Sequence, residues 1–443
     1  MAHAAYGGRG TEEWECDMNE RMTFFAFVRR LLQISGLTAL SAGRMAVIAM
    51  TSKRAARATR LAAELVRLIE RLGGAFIKVG QLAGTRVDLV GPTVADALGR
   101  LHDNVRPMTA RQAATVVRRA FPRPPDGLTA ALAHPPVASG SIASVYRVEV
   151  GDRVVALKVR RPEIGRAITV DMAILSGMAR AMCRLPGLRR VPLAEIIGQV
   201  GRCLTDQLDF AAETRSLRQM REHLADFADI IVPAVIPELS GDGVIAMSFV
   251  DGLKHASIED LPSQVREAEV AVLVRAVYRL LFIAGFVHVD LHQGNTYFRP
   301  DGTVVLLDAG FAFQMSGLAR RRYTEFFGGM IQGDGEACAD ILRSTVRSVA
   351  PAADLAGFRR DVADLVVRNV GATARDFDLP AFCVELFNLQ RRYGLYAEPE
   401  FIFPMLCLLS LDGLVKEHYP LMDFQLEAAP YVMQSLLSEP EIR

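Results

Sequence analysis

The residues best placed to do chemistry lie in two short runs, His288-Val289-Asp290-Leu291-His292-Gln293-Gly294-Asn295 and Leu306-Leu307-Asp308-Ala309-Gly310. They read as H-x-D-x-x-x-x-N followed by D-x-G. That is the grammar of a kinase catalytic loop and its metal-binding segment. In such a pattern Asp290 would orient or deprotonate a nucleophile. Asn295 and Asp308 would hold magnesium against nucleotide phosphates, because magnesium takes few protein oxygens and completes its shell with phosphate and water. Each of these residues alone is an ordinary turn residue. The weight falls on the ordered set and its spacing.

Several elements must position those groups. Asp301-Gly302 reads as a hairpin turn that feeds the apolar run Thr303–Leu307, with Asp308 at its end. Upstream, Ser144–Val150 alternates like a strand, Gly151-Asp152 turns the chain, and Val154–Val159 reads as a second strand carrying Lys158. A lysine there occupies the place of the kinase V-A-I-K lysine, whose ammonium meets the α and β phosphates. Of 51 cationic residues only five are lysines (53, 78, 158, 254 and 416). A chain so biased toward arginine that keeps Lys158 inside an apolar strand points to a need for a compact ammonium. The competing reading is a lysine on the wet face of an edge strand.

Before that hairpin, Ala138-Ser139-Gly140-Ser141 stands where a kinase has its glycine-rich loop. Small residues there let backbone N–H groups approach phosphate oxygens. No G-x-x-x-x-G-K-[ST] exists in the chain, which disfavours a P-loop NTPase. A kinase lysine also needs a glutamate to hold its rotamer. The segment from about 193 to 224 has Leu204, Leu208, Ala211, Ala212 and Leu217 near helical spacing, and Glu213 is the candidate partner. Asp206 and Asp209 are further acids on it.

These residues, with others outside the kinase-like core, make the chain resemble the UbiB (AarF) family of atypical protein-kinase-like proteins, which includes the mitochondrial coenzyme Q accessory ATPases. Phe76-Ile77-Lys78-Val79-Gly80-Gln81-Leu82 is similar to that family's K-x-G-Q signature. Ala138–Ser141 stands at its alanine-rich loop, Lys158-Val159-Arg160-Arg161-Pro162 at its strand lysine, and Gln207-Leu208-Asp209 with Glu213 at its E-x-D helix. The run 290–295 resembles its D-x-H-x-G-N loop, and Leu408–Pro420 its C-terminal helix. The resemblance covers about residues 70–425. It implies an α+β, two-lobed protein-kinase-like fold with an N-terminal helical extension and a mostly helical large lobe. The expected organisation is an extension over 1–110, a small lobe with a helical insertion over 111–250, and a large lobe over 251–443.

By motif match Lys78, Gln81, Gln207 and Asp209 belong to a lid over the site. Lys158 binds phosphates and Glu213 positions it. Asp290 is the catalytic aspartate, and Asn295 and Asp308 carry the metal. Met247 and Phe249 flank the adenine on the hinge, where contacts are mostly backbone. The implied ligands are ATP or ADP and magnesium. The implied activity is an ATPase or small-molecule kinase supporting ubiquinone or other prenyl-lipid metabolism, with a membrane surface and lipid-biosynthesis proteins as partners. Two alternatives stay open: a true protein kinase, and a nucleotide-responsive scaffold with little catalysis.

The chain departs from the family pattern in four places. Gln207 replaces the E-x-D glutamate, which weakens any bond it makes to a lysine. Gly140 replaces an alanine, is more permissive in φ and lets phosphate come closer. Ala309 replaces the D-F-G phenylalanine, and Ser248 the hinge glutamate. No A-P-E follows Asp308; instead Leu318-Ala319-Arg320-Arg321-Arg322 reads as helical, which tells against a peptide platform.

Composition agrees. The length of 443 residues accommodates a two-lobed unit plus an extension. A net charge of +1 gives no case for nucleic acid. Six cysteines with no C-x-x-C pair argue against a zinc site or disulfide framework and for a reducing compartment. Met1–Asn19, with Glu12, Glu13, Glu15 and Asp17, is unlike a signal peptide. Leu31–Met50 is interrupted by Arg44, so no membrane-spanning helix is expected. Residues 21–70 mix arginine with apolar residues, as in an interfacial amphipathic helix or one packed on the core. The expected location is cytoplasmic, or peripheral at a membrane.

Overall fold

The computed structural model describes residues 24–73, 75–84, 91–99, 101, 107–125, 127–182, 197, 198, 201, 204–253, 257–289, 291, 294–351, 353–397 and 399–438. Among the described residues six helices come first: α1 (Phe24–Thr51), α2 (Arg54–Leu72), α3 (Ala75–Gly84), α4 (Pro92–Gly99), α5 (Ala110–Ala120) and the one-turn α6 (Leu128–Ala131). Strands β1 (Ala138–Ser139), β2 (Ala143–Val150) and β3 (Arg153–Arg160) follow, then α7 (Ile164–Met182) and α8 (Phe210–His223). Next are β4 (Ile230–Ile231), β5 (Val244–Ser248), α9 (Ser263–Tyr278), β6 (Phe286–His288), β7 (Thr296–Phe298), β8 (Val304–Leu306) and β9 (Ala312–Gln314). Then come α10 (Gly317–Gln332), α11 (Gly335–Ser344), β10 (Val346–Val349), α12 (Leu355–Asn369), α13 (Leu379–Arg392), β11 (Leu395–Ala397), α14 (Pro399–His418) and α15 (Phe424–Leu437). The class is α+β, as the sequence led us to expect.

The described residues fall into two compact units. The first takes those up to Phe210 together with Pro237–Ala246; the second takes Ala211–Ile236 and those from Met247 onward.

In the first unit, helices α1, α2, α3 and α7 meet around two apolar clusters. One joins Ile34, Leu72, Phe76, Val170 and Ile174. The other joins Ala75, Ile164, Ile168, Met172 and Leu204. Adjacent residues Ala75 and Phe76 serve different clusters, so α3 is wedged between them. A Cβ on Gly80 would stand 2.6 Å from Leu101 Cδ1 and 3.2 Å from Ile69 Cγ2. The glycine of the K-x-G-Q segment therefore permits close helix packing. The sheet runs β1-β2-β3-β5. The β2–β3 hairpin is in register from Ala143↔Arg160 to Val150↔Arg153, turned by Gly151 at φ 59°. Val155, Leu157 and Val159 are buried on one face of β3, and the intervening residues, Lys158 included, lie on the other.

The second unit is mostly helical. Ser316, Asp334, Asp354, Asp378 and Asp423 each accept a backbone N–H from the first turn of the helix they precede, which starts α10, α11, α12, α13 and α15. Tyr278, Phe282, Tyr323, Phe327 and Phe424 form an aromatic core, and the Tyr278 hydroxyl donates to the Phe424 carbonyl at 2.7 Å. Helix α9 widens into a π turn over Arg279–Ala284 and ends at Gly285, φ 67°, which feeds β6. The three described cysteines are free and buried, and burial pushes Cys338 and Cys407 up to about 12, so they stay as thiols.

Two expectations need correction. Residues from about 193 to 224 are not one helix: Gln207-Leu208 form a turn between a short helical piece at 204–206 and α8. The Leu208 carbonyl, which a continuous helix would need, accepts instead from Arg160 Nη1 at 2.7 Å. Residues 193–196, 199, 200, 202 and 203 of that segment lie outside the described residues. The expectation that no helix is long and apolar enough to cross a membrane also fails. Phe27–Thr51 meets that measure, and its most apolar window is only 11 % buried. The span holds three arginines, Arg29, Arg30 and Arg44, of which Arg30 is folded back onto Asp171 and Arg44 stands near Glu64.

Glu269 on α9 is 1 % exposed, and neither carboxylate oxygen has a protein partner. Burial, then repulsion from Asp301, pushes it from 4.5 up to about 7. The folded state thus holds a proton that the unfolded chain releases. Its contribution is full below pH 4.5 and is lost as pH rises through about 7. We expect Glu269→Gln to raise Tm at pH 8 by about 2–4 °C and to leave it nearly unchanged at pH 4.5. Thermal melts at both pH values check this; equal shifts at both would contradict it.

Candidate active site

The first unit supplies the loop and the lysine. Ala138 and Ser139 pair with Val145 and Ser144. Gly140 N–H donates to the Ala143 carbonyl at 2.8 Å, so it is turned inward along the loop. Arg161 holds the loop from behind: Nε donates to the Gly140 carbonyl at 2.9 Å and Nη2 to Ser139 Oγ at 3.0 Å. Ser141 is buried. Gly140 is not among the glycines with positive φ, so its difference from alanine lies in the missing methyl and not in backbone freedom.

Lys158 pairs with Val145 in mid-strand and is half-buried. Its Nζ stands 5.5 Å from the centroid of the Phe210 ring, and the Arg160 guanidinium stands 5.7 Å from the same centroid. Residues two apart on a strand share a face, so the two cations bracket one aromatic. Arg160 also donates from Nη2 to Asp242 Oδ1 at 2.9 Å. The lysine stem therefore lies in an ordered setting.

The second unit supplies an amide and two carboxylates. Strands β7 and β8 pair antiparallel from Thr296↔Leu306 to Phe298↔Val304, and β8 is flanked by β4 in parallel. The turn between them has Gly302 at φ 86°, with Asp301 accepting from the Thr303 hydroxyl and N–H, which holds the Asp301 carboxyl below its ordinary range. At the other end Leu307 N–H donates to the Asn295 carbonyl at 2.9 Å. The hairpin thus brings Asn295 opposite the residue just before Asp308. Gly310 N–H donates to Asp308 Oδ1 at 2.7 Å. His288 is buried, and its Nε2 bonds the Asp308 carbonyl, which clamps the segment from the β6–β9 side. Glu213, in the first turn of α8, is buried. A Cβ on Gly310 would stand 3.1 Å from Asp308 Oδ1 and 3.5 Å from the Glu213 carboxyl. The absence of a side chain at Gly310 lets these two acids flank one backbone position.

The other candidates are spread over both units. Asp290 lies outside the described residues, between buried Val289 and Leu291. Lys78 is half-buried on α3; Gln81 lies on the same helix, with its side chain outside the described set. Gln207 and Asp209 lie in the turn before α8, and Gln207 Oε1 is buried with no protein partner. Met247 is buried and bridges Val235, Ser248 N–H donates to the Ala234 carbonyl at 2.8 Å, and Phe249 is half-buried. Ala309 is buried. Sequence reasoning missed Arg161, Phe210 and His288 as supports. Arg161 and His288 stand inside motifs already quoted and Phe210 directly follows Asp209, but their roles need partners distant in sequence.

Among the described residues no group of three or more His, Cys, Asp or Glu could hold a metal. An amide with carboxylates is a hard-oxygen set. It fits magnesium whose remaining positions come from phosphate and water, and it does not fit zinc.

Comparisons with known proteins bear on the family of the chain. Residues 100–342 match the ABC1 atypical kinase-like domain. The chain is 27% identical over 395 residues to a protein named "Probable protein kinase UbiB" from Vibrio parahaemolyticus, covering 85% of this chain and 71% of that one. It is 27% identical to the protein of that name from Aliivibrio fischeri, over 83% of this chain and 70% of that one. It is 26% identical to that of Klebsiella pneumoniae, over 82% and 68%. Among solved structures, the Rv3197–erythromycin complex from Mycobacterium tuberculosis superposes with a TM-score of 0.49 and 17% identity, covering 80% of this chain and 94% of that one.

Gly310→Ala should leave the fold in place and push the Asp308 and Glu213 carboxylates apart. We expect magnesium-dependent nucleotide affinity to fall at least about tenfold, with Tm shifted by no more than about 3 °C. Calorimetric titration of MgATP alongside thermal melts checks this; unaltered affinity would contradict it.

Proposed function

The chain belongs to the ABC1 atypical kinase-like family, and on that premise we propose that it binds MgATP and turns it over as an ATPase or a kinase of a small molecule. The observation that carries this reading is the β7–β8 hairpin with Asn295 and Asp308 at its mouth and His288 clamping Asp308. In this proposal Asn295 and Asp308 hold the magnesium ion, which neutralises charge on the phosphates when bound. Lys158 meets the phosphates with its ammonium, and Glu213 positions that contact. Ala138–Ser141 passes beside the phosphates, while Met247 and Phe249 flank the adenine. Asp290 orients the attacking oxygen and takes its proton. Lys78, Gln81, Gln207 and Asp209 form the lid.

The setting we propose is ubiquinone or other prenyl-lipid metabolism at a membrane surface, in keeping with the family resemblance. A protein-kinase reading is disfavoured by one observation. Helix α10 begins at Gly317, seven residues after Gly310, which leaves little chain for a peptide platform. The scaffold reading draws support from Ala309 and from the unpartnered Gln207 Oε1.

Steady-state phosphate release separates turnover from scaffolding. We expect Asp290→Asn to bind ATP but to release phosphate at least about a hundredfold more slowly than the unsubstituted chain. Equal, very slow release by both would favour the scaffold, and loss of phosphate transfer to proteins would favour the protein kinase. A second variant probes the loop. Gly140→Ala has no φ penalty to confound it and should change ADP and ATP affinity; unchanged titrations would remove the loop from the phosphate site.

A further inference from the structure

Helix α1 presents two unlike faces. Its inner face is fixed by buried polar bonds. Arg30 donates from Nε to Asp171 Oδ1 at 2.6 Å, and from Nη2 to Asp171 Oδ2 at 2.9 Å and to the Leu72 carbonyl at 2.7 Å. About three turns on, Ser41 donates to Glu64 Oε1 at 2.9 Å, and Arg44 stands 3.7 Å from the same oxygen. Asp171 and Glu64 are both 1 % exposed. Between these clasps Ile34 packs against Leu72, Phe76, Val170 and Ile174.

The outer face is apolar. Leu32, Leu40, Val47 and Met50 are 68 %, 50 %, 54 % and 77 % exposed. At 100° per residue all four fall on the side opposite Ile34. From Leu32 to Met50 the stripe runs about 27 Å along the helix. Charge around it has one sign. Residues 24–63 contain Arg29, Arg30, Arg44, Lys53, Arg54, Arg57 and Arg60 and no acid, in a chain whose net charge is only +1. Arg29, Lys53, Arg57 and Arg60 are exposed.

We infer that α1 lies in the plane of an anionic lipid surface, its Leu32–Met50 stripe entering the headgroup–acyl boundary while the Asp171 and Glu64 clasps hold its other face to the protein. This rests on the peripheral-membrane setting proposed above and specifies how the contact is made. An apolar stripe with cations beside it suits an interface with negative lipid. Crossing the bilayer would strip buried Asp171 of the Arg30 guanidinium and take Ser41 and Arg44 from buried Glu64, which would keep only Arg67 of its own helix. It would also carry Arg44 into hydrocarbon. Length and apolarity alone permit a span; the clasps select the in-plane arrangement.

The test is co-sedimentation of the full chain with phosphatidylcholine vesicles and with vesicles containing about one-quarter phosphatidylglycerol, at low and high salt. The expected result is binding to the anionic vesicles only, weakened by salt. Leu32→Glu/Val47→Glu should reduce it at least about tenfold with Tm unchanged, because both side chains are already exposed. Depth is read with a fluorophore on Leu40→Cys, with the unsubstituted chain as labelling control. Quenching strongest by shallow spin-labelled lipid supports the in-plane helix, and strongest by deep label overturns it in favour of a span. No binding to either vesicle overturns the peripheral setting itself. Binding that ignores the double substitution overturns the role of α1 and leaves that setting standing. Self-association without lipid, abolished by the double substitution, would assign the stripe to a second copy of the chain and overturn the inference.

Discussion

The hydrogen bond from Leu307 N–H to the Asn295 carbonyl closes the β7–β8 hairpin, and the chemistry proposed for this chain depends on it. It fixes the register in which a side-chain amide and a carboxylate emerge from the same end of one short hairpin. The adjacent β6–β9 pair contributes His288, whose ring bonds the Asp308 carbonyl. Helix α8 then brings the buried Glu213 beside Gly310. A few residues of strand would not hold such a geometry alone. The hairpin is held because β4 pairs along β8 and because Val304, Val305 and Leu306 are all buried.

Arginine supplies several of the supports in the first unit. Arg30 bonds both oxygens of Asp171 and a helix-terminal carbonyl. Arg160 ties the Leu208 carbonyl to Asp242, and Arg161 holds the Gly140 carbonyl and Ser139. Each uses a planar fork to join groups distant in sequence, which an ammonium does less well. Lys158 stands among them on the same strand and shares the Phe210 ring with Arg160.

Much of this was legible because it is local. Alternation and a Gly-Asp turn predicted the hairpin carrying Lys158, and Asp301-Gly302 predicted the turn ahead of β8, since period two and turn chemistry are written within a few residues. The D-x-G spacing located Asp308, but nothing in it announced that His288 would bond the Asp308 carbonyl. The break at Gln207-Leu208 was missed because apolar spacing through it is helical, and what interrupts the ladder is Arg160, 48 residues away. As a residue type Gly140 is more permissive in φ than alanine, but it is not among the glycines with positive φ. Helix α1 looked too broken by charge to be an apolar span. Its inner cations proved to be committed to buried carboxylates, which leaves the outer stripe uncharged.

The account turns on whether Asp308 and Asn295 grip a divalent ion on a nucleotide. Manganese can stand in for magnesium, and its electron paramagnetic resonance distinguishes free from protein-held ion. With ATP present, the unsubstituted chain should bind one manganese ion per molecule, and Asp308→Asn or Asn295→Ala should release it while the fold persists. Undiminished manganese–ATP binding by Asp308→Asn would contradict the account.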